Sequence, residues 1–351
     1  MTILAIGALC FGMAMVLAPR SGLTAGELNV LGWCDMDDPQ VLAGFEEQFD
    51  VRVNVKVHED PGVAHALMEQ SAPGDWDVVY TDAGYVPAHV ASGLLAELDP
   101  ADYPWDDILA DARREDFHYV DGNLYGVPVK LGWNTLAFDS SKVDPNDMQS
   151  ISVIWSDKYA GEIGLWDFYV LIIQIVATGI GIEPENITED DFPAIREKLR
   201  VLKANSSYIG DIVGVITAMA TGEASIILGG GDWLAAAFKE DNPAISYSVP
   251  VEGGSFYVTS LSVVESSERK DLATEFVKYF AAPEGNLRLA VDNSCFWGIP
   301  LNQKVAMTDE DKDLLMLSKQ EEFIARSFIT KYYDPKLDRA MQDLWTEFLQ
   351  W

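Results

Sequence analysis

Aromatic residues, most of them beside acidic ones, recur at the predicted ends of strands. They are Trp33 with Asp35, Asp82 with Tyr85, Trp166-Asp167-Phe168-Tyr169, Asp232-Trp233, Phe256-Tyr257 and Phe296-Trp297. An aromatic face attracts an ammonium group by about 0.5–2 kcal/mol. A carboxylate adds a charge-assisted hydrogen bond when the cation carries N–H. Any single ring can instead pack in a core, but together the set predicts a binding site for an organic cation.

The motifs of common enzymes and cofactor sites are missing from the sequence. It contains no Gly-x-Ser-x-Gly, no His-Glu-x-x-His, no Walker loop and no Cys-x-x-Cys. The four histidines lie in the first third of the chain and show no metal-ligand spacing. The run Gly229-Gly230-Gly231 fits a tight strand-to-helix turn, or a close approach of backbone to a ligand. We therefore expect no enzymatic reaction, no cofactor and no bound metal.

Length and charge narrow the function further. The 351 residues suggest about two domains, and 48% hydrophobic with 23% charged residues is an ordinary globular balance. The net charge of -32 excludes nucleic acid and anionic lipid as partners held by bulk electrostatics. A solvated acidic surface accounts for this charge, and its field also draws in cations. We expect a monomer that binds no nucleic acid.

The first 25 residues have the pattern of a secretory signal. Residues 3–18 are almost wholly apolar but too short for a comfortable membrane span. Pro19, Arg20 and the small-residue pattern Leu23-Thr24-Ala25 follow, which predicts cleavage after Ala25. Residues 1–25 are therefore predicted to be a signal peptide, with an uncleaved anchor as the alternative.

Two cysteines, Cys34 and Cys295, remain when the segment that contains Cys10 is removed. In an exported chain they can form a single disulfide. Two separate buried thiols fit the sequence equally well, so both alternatives stay open.

Alternating strands and helices predict an α/β fold. Strands are predicted at residues 27–33, 51–57, 76–80, 162–165, 225–228 and 245–249. Helix starts are predicted at Asp38, Asp167, Thr188, Asp232, Ser267 and Asp334. Strand–helix–strand repeats imply parallel sheets with crossover helices, whose strand ends meet at the edge where ligands bind. Trp33, Asp35 and Asp82 fall at that edge.

Two stretches are predicted to cross between two lobes. Residues 130–139 form the first crossing, and residues 251–264, rich in aromatic and β-branched side chains, form the second. Each lobe is predicted to be a mainly parallel sheet flanked by helices. Lobe 1 comprises residues 26–136 plus 260–303, and lobe 2 comprises residues 137–259 plus 304–351.

Short motifs along the chain resemble those of one protein family. They are Gly32-Trp33-Cys34-Asp35, Asp77-Val78-Val79-Tyr80-Thr81-Asp82, Val127-Pro128 with Gly132, Glu252-Gly253-Gly254-Ser255-Phe256-Tyr257, and Asp334-Pro335 with Trp345-Thr346. From about residue 27 onward the chain resembles the periplasmic spermidine- and putrescine-binding proteins of ABC importers. The resemblance implies the type II periplasmic-binding-protein fold and the periplasm of a Gram-negative bacterium. It also implies a small cationic amine, bound between the lobes and delivered to permease subunits.

The resemblance also assigns ligand-binding residues. Trp33 and Asp35 match ligand-contacting positions, and Asp232 matches an acid that grips an amine. Tyr257 and Trp297 stand where the family has a stacking Trp and a Tyr. The predicted ligand-binding set is Trp33, Asp35, Asp82, Tyr85, Trp133, Trp166, Asp167, Phe168, Asp232, Tyr257, Thr259 and Trp297.

Several acidic positions of the family are not acidic here. Thr259 stands where the family has its central Asp, and Phe168 and Leu171 replace acids that follow a strand of the second lobe. Asp167 remains there, and Asp82 replaces a contacting Ser. The predicted ligand is therefore a polyamine or a related organic cation. A compact methylated or quaternary amine, or an amino-acid-like cation, is the alternative.

Two other functions fit the sequence less well. Tyr332-Tyr333 resembles the adjacent tyrosines of ferric-ion-binding proteins with this fold, and the acidic excess suits Fe(III). Those proteins also need a histidine or carboxylate nearby. An exported enzyme is the remaining alternative, and no motif supports it.

Overall fold

The computed structural model describes residues 26–58, 60–291, 293 and 295–351 of the chain. The predicted signal peptide, residues 1–25, lies outside these residues. None of the helices in the described part is both long enough and apolar enough to cross a membrane.

Strands and helices alternate along most of the chain. The strands are β1 (Glu27–Gly32), β2 (Arg52–Val57), β3 (Val78–Asp82), β4 (Tyr119–Val120), β5 (Asn123–Leu124), β6 (Val127–Asp139), β7 (Ile163–Trp166), β8 (Ser206–Gly210), β9 (Ile226–Gly230), β10 (Ile245–Ser248), β11 (Ser255–Val263), β12 (Ile299–Pro300) and β13 (Phe328–Ile329). The α-helices are α1 (Pro39–Phe49), α2 (Pro61–Gln70), α3 (Val86–Ala91), α4 (Glu115–His118), α5 (Tyr169–Gly179), α6 (Phe192–Asn205), α7 (Ile212–Thr221), α8 (Asp232–Ala237), α9 (Lys270–Ala281), α10 (Pro283–Val291), α11 (Asp309–Leu314), α12 (Gln320–Ala325) and α13 (Pro335–Gln350).

A continuous sheet joins two groups of parallel strands. Its order is β2-β1-β3-β11-β6-β9-β7-β8, with β10 and β12 on β6 and β13 on β11. Strand β1 lies parallel to β2 and β3, and β7 lies parallel to β8 and β9. Between these groups, β11 runs antiparallel to β3 and β6, and β6 runs antiparallel to β9. The predicted α/β architecture of two mainly parallel sheets joined by crossing strands is confirmed.

Each parallel group packs against its own hydrophobic core. The first core includes Leu28 of β1, Phe45 of α1 and Phe276 of α9, all fully buried. The second includes Leu165 of β7 and Phe348 of α13, which are also fully buried. Burying one such side chain contributes about 1.5–3 kcal/mol, so each lobe has a separate source of stability.

The crossing strand β6 belongs to both halves of the sheet. Its first part pairs with β11, its last part pairs with β9 and β10, and all of its residues are buried. The first core also takes in Tyr247, Val258 and Phe323, which lie outside residues 26–136 and 260–303. The lobe boundaries at residues 136 and 260 stay a prediction.

Acidic and hydroxyl side chains cap several helices at the predicted places. The Asp38 carboxylate accepts a hydrogen bond from the backbone N–H of Gln40 at 2.8 Å and caps α1. Asp334 caps α13 in the same way, and Thr188 forms a capping box with Asp191. Each of these caps satisfies a backbone N–H that the helix itself leaves without a partner.

Two predicted helix starts are wrong, because the side chains concerned have tertiary partners. Helix α5 begins at Tyr169, and the Asp167 carboxylate accepts a hydrogen bond from the Trp345 indole at 2.6 Å instead of capping it. Helix α9 begins three residues after Ser267, whose hydroxyl donates to Asp77 at 2.6 Å.

Candidate functional site

The strand ends of both parallel groups meet at a cavity of about 300 Å³. Trp33 and Asp35 follow β1, Asp82 ends β3, and Trp166 ends β7. Side chains of the crossing strands β6 and β11 complete its wall. This is the edge at which parallel sheets bind ligands.

Eight of the twelve predicted ligand-binding residues line this cavity. They are Trp33, Asp35, Asp82, Trp166, Asp167, Phe168, Tyr257 and Thr259. The fold thus brings residues from both halves of the chain to one place. Their contact with a ligand stays a prediction.

Three side chains form a row across neighbouring strands of the cavity wall. Thr259 of β11 pairs with Asp82 of β3 on one side and with Lys130 of β6 on the other. Directly paired residues project from the same face of a sheet, so a carboxylate, a hydroxyl and an ammonium lie in sequence. Farther along, Tyr257 pairs with Gly132, where an added Cβ would lie 2.1 Å from the Tyr257 hydroxyl. Gly132 therefore makes room for the Tyr257 ring.

Trp133, one of the predicted ligand-binding residues, does not line the cavity. Side chains alternate along a strand, so Trp133 and Lys130, three residues apart on β6, project from opposite faces. Trp133 is fully buried in the first core against Phe256 and Phe323. Its indole N–H donates to Gln320 Oε1 at 2.9 Å. Trp133 is therefore a core residue.

Asp232, which the resemblance matches to an amine-gripping acid, also lies outside the cavity lining. It is the first residue of α8, whose N-cap is Gly231 rather than Asp232. Its Oδ1 accepts hydrogen bonds from the backbone N–H groups of Trp133 at 2.9 Å and Trp233 at 3.0 Å. Burial raises the pKa of Asp232 to about 7. Asp232 joins the start of α8 to β6 through these two hydrogen bonds.

Tyr85 and Trp297 are the remaining predicted residues outside the lining. Tyr85 lies in a 3-10 turn after β3 and packs edge-on against Tyr332, with ring centroids 4.8 Å apart. The Trp297 indole donates to the Asn293 carbonyl at 2.9 Å, and the Lys239 ammonium lies 4.8 Å from its ring centroid. Both rings are therefore in contact with neighbouring side chains of the protein.

Lys130 brings a buried positive charge to the cavity wall. Its ammonium donates to Asp35 Oδ2 and to the Phe296 carbonyl, the latter at 2.8 Å. The Tyr80 hydroxyl donates to the same Asp35 oxygen at 3.0 Å. Lys130 is 1% exposed and Asp35 is 0% exposed. The carboxylate that the sequence assigned to a ligand thus already has a cationic partner.

Lys130 is absent from the predicted ligand-binding set, although the sequence contains a signal for it. Lys130 is the one basic residue in the otherwise uncharged run from Val127 to Phe138. A lysine is almost never fully buried unless it is paired. A lysine within a strand predicted to cross between lobes therefore indicates an acidic partner. The identity of that partner depends on the tertiary fold.

Asp82 and His58 are the two cavity residues whose charge is most altered by burial. Burial raises the pKa of Asp82 to about 7, and the Tyr332 hydroxyl donates to its Oδ2 at 3.3 Å. Burial lowers the pKa of His58, whose Nε2 donates to the Tyr80 carbonyl at 3.0 Å. Near neutral pH the site therefore holds a neutral imidazole and a carboxyl group that titrates.

Aromatic rings from both lobes surround the remaining space. Trp166 lies 5.0 Å from Phe168, and Tyr257 lies 5.8 Å from Phe296 between ring centroids. The Trp33 indole N–H and the Tyr257 hydroxyl are buried without a hydrogen-bond partner among the described residues. Leaving a buried donor unpaired is costly, so each group would gain from a rearrangement that brings an acceptor to it.

Cys34 and Cys295 form a disulfide, with Cα atoms 6.0 Å apart. This settles the two alternatives in favour of a bridge. Both cysteines line the cavity. The bridge ties the Trp33–Asp35 segment, of which Cys34 is the middle residue, to the segment that contains Phe296.

Nothing among the described residues favours the ferric-ion alternative. No group of three or more histidine, cysteine, aspartate or glutamate residues within them can hold a metal ion. The two adjacent tyrosines also diverge. Tyr332 donates to Asp82, whereas the Tyr333 hydroxyl donates to the Pro184 carbonyl at 2.7 Å.

Comparisons with known proteins agree with this geometry. A spermidine/putrescine-binding periplasmic protein of Escherichia coli (strain K12) is 22% identical over 285 residues, which cover 80% of this chain and 79% of that protein. The putrescine-binding periplasmic protein PotF of the same organism is 21% identical over 95% of this chain and 94% of its own. The solved structure of the spermidine/putrescine substrate-binding protein PotD from Streptococcus pneumoniae matches with a TM-score of 0.78 at 18% identity. That match covers 93% of this chain and 99% of that one.

The fold is that of the two-lobed substrate-binding proteins of ABC transporters. The sequence model for bacterial extracellular solute-binding proteins matches residues 40–315, which is well over half of the chain. This chain belongs to the family of bacterial extracellular solute-binding proteins.

Proposed function

We propose that this protein is the solute-binding component of an ABC importer and that it captures a small organic amine in the cavity. The observation that carries the proposal is a cavity of about 300 Å³ lined by aromatic rings and carboxylates from both lobes. The relatives named for spermidine and putrescine support the same ligand class. The protein acts as a monomer in the periplasm, after removal of residues 1–25, and catalyses no reaction.

The cavity walls offer an amine two kinds of contact. Trp166, Phe168 and Tyr257 present π faces, each of which contributes about 0.5–2 kcal/mol to a nearby cation. Asp82 and Asp167 supply acceptors for N–H groups. The cavity has more aromatic rings than carboxylates without a basic partner. Because a long polyamine needs a carboxylate for each of its ammonium groups, this balance favours a compact cation.

Ligand capture proceeds by closure of the lobes. Lobe 1, residues 26–136 plus 260–303, contributes Trp33 and Asp82, while lobe 2, residues 137–259 plus 304–351, contributes Trp166 and Phe168. A ligand that contacts both sets stabilises the closed state by its additional buried contacts. The hinge lies in the crossing strands β6 and β11. The closed form is the one that the permease subunits receive.

Calorimetric titration with putrescine, spermidine, choline, glycine betaine and γ-aminobutyrate tests the proposal. We expect at least one of these amines to bind the wild-type protein in a 1:1 ratio. Trp166→Ala should weaken that binding about tenfold, because one π face is lost. Trp351→Ala is the matched control, since Trp351 is 36% exposed and is not among the residues that line the cavity. No heat with any of the amines, or equal losses in both variants, would contradict the proposal.

A further inference from the structure

Lys130 is a cation that the protein itself places in the wall of the candidate site. It lies on β6, and 1% of its side chain is exposed. Two of its three N–H donors go to Asp35 Oδ2 and to the Phe296 carbonyl. Its ammonium also lies 5.6 Å from the Phe296 ring centroid and 5.9 Å from that of Tyr80. These contacts are the ones that a bound amine would make.

The carboxylate partner of Lys130 is therefore not free for a ligand. Asp35 Oδ2 accepts from both Lys130 and the Tyr80 hydroxyl. Asp35 Oδ1 has no partner among the described residues, but the charge of the carboxylate is already balanced. A ligand ammonium at Asp35 would have to approach the Lys130 ammonium at close range. Like charges repel strongly where water is excluded.

Asp82 is the carboxylate that remains on the same face of the sheet. It lies two strands from Lys130, with Thr259 between them. Neighbouring strands are about 4.8 Å apart, so the two backbones are separated by roughly 10 Å. A ligand ammonium group held at Asp82 would therefore lie at one end of this row, and the fixed positive charge of Lys130 lies at the other end. A diamine extended along this row would place its second ammonium beside Lys130.

The unpaired donors of the cavity also favour a ligand with an acceptor. The Trp33 indole N–H and the Tyr257 hydroxyl have no partner among the residues that the structure describes. An indole N–H is a donor only. Protonated putrescine and spermidine carry donors and no acceptor, so they leave the indole unpaired. A carboxylate or hydroxyl oxygen on the ligand would satisfy it once closure of the lobes brings the two together.

We propose that Lys130 acts as a built-in cation that restricts the cavity to amines with a single positive charge and an oxygen acceptor, and that excludes di- and polyamines. This inference rests on the proposed function and narrows its ligand class. γ-Aminobutyrate, choline and ethanolamine share this chemistry. Putrescine is a compact diamine that lacks it.

Replacement of Lys130 by methionine provides the test, because it removes the charge and keeps an unbranched apolar side chain. In Lys130→Met the Asp35 carboxylate becomes free, and a second ligand ammonium can take the place of the lysine. We expect calorimetry to show putrescine binding at least tenfold tighter to Lys130→Met than to the wild type. We also expect the wild type to bind at least one singly charged amine at least tenfold tighter than putrescine.

Two controls separate this effect from bulk charge and from loss of fold. Lys158→Met makes the same change in net charge at an exposed pair with Asp147, and it should leave putrescine binding unchanged. Asp35→Asn/Lys130→Met removes both charges and should show no gain of putrescine binding. Thermal melts identify variants that do not fold. The preference of the wild type for singly charged amines over putrescine can be measured without any variant.

The possible results distinguish this inference from the function on which it rests. Wild-type protein that binds putrescine or spermidine as tightly as the singly charged amines overturns the inference and leaves the proposed function intact. A folded Lys130→Met without a gain in putrescine affinity does the same. If the wild type binds none of the amines, the proposed function fails. A gain of putrescine binding by Lys130→Met would then still support exclusion by Lys130, and its absence would overturn it.

Discussion

At the residue scale, the cavity combines a fixed charge pair with one carboxyl group that titrates near neutral pH. Asp35 and Lys130 neutralise each other in the buried wall. Burial, reinforced by the nearby carboxylate of Asp60, raises the pKa of Asp82 to about 7. Burial also lowers the pKa of His58, so its ring stays neutral even at a pH at which an ordinary histidine is protonated. Among these groups, Asp82 is the one whose titration we expect to make the affinity for a cation depend on pH.

The titration of Asp82 predicts that amine affinity rises with pH. A group with a pKa of about 7 is mostly protonated at pH 6 and mostly ionised at pH 8. Because only the ionised form attracts a cation, affinity should rise about fivefold to tenfold over this interval. Calorimetry of Asp82→Asn should show weaker binding at pH 8 and no such pH dependence.

Asp232→Asn is the matched control for this titration. Burial also raises the pKa of Asp232 to about 7, but Asp232 does not line the cavity. Its variant should keep the pH dependence of the wild type. A flat profile in Asp232→Asn together with a sloping one in Asp82→Asn would contradict the role of Asp82.

At the element scale, the disulfide joins the end of β1 to the segment before β12. Phe296 lies in that segment, accepts a hydrogen bond from Lys130 and stacks on Trp233 at 4.9 Å between ring centroids. Both cysteines line the cavity, and each is adjacent in the chain to other residues that line it. The bridge therefore holds one wall of the cavity in place.

Removal of the disulfide should lower both stability and affinity. A disulfide of this kind contributes about 2–5 kcal/mol to the free energy of unfolding, mainly by restricting the unfolded chain. Calorimetric unfolding of Cys34→Ser/Cys295→Ser should show a lower Tm, and titration should show weaker amine binding. Reducing agent should have the same effect on the wild type and none on the double variant. Unchanged Tm and affinity in the double variant would show that the bridge does not support the wall.

Strand ends and strand faces differ in how well the sequence predicts them. The rule that parallel strands end at one edge predicts Trp33, Asp82 and Trp166 at one cavity, because it needs only the order of elements. The faces of β6 require the register with β11 and a choice of core side. For that reason Trp133 was misplaced, and the pairing of Lys130 with Asp35 was missed. The predicted helix starts at Asp167 and Ser267 were wrong because tertiary partners compete for these two side chains.

At the scale of the whole molecule, the acidic excess acts on ligand encounter rather than on the fold. The net charge of -32 creates a negative potential around the protein. Such a field raises the association rate of a cation, and salt screens it with a Debye length of about 10 Å at 0.1 M. The buried contacts of the cavity are screened much less.

Salt should therefore slow association more than it speeds dissociation. Stopped-flow measurement of amine binding at about 0.02 M and 0.5 M salt should show an association rate several-fold lower at high salt. The dissociation rate should change little. γ-Aminobutyrate, which has no net charge, is the control and should show a weaker dependence than choline. An association rate of choline that does not depend on salt would exclude steering.

The central claim is that the cavity between the lobes carries a small organic amine. A native mass spectrum of the protein, released from the periplasm without refolding, tests this claim most directly. The account predicts a 1:1 adduct that is lost on unfolding and whose released component is an amine with a single positive charge. An adduct that proves to be a metal ion or a compound without a basic nitrogen would contradict it.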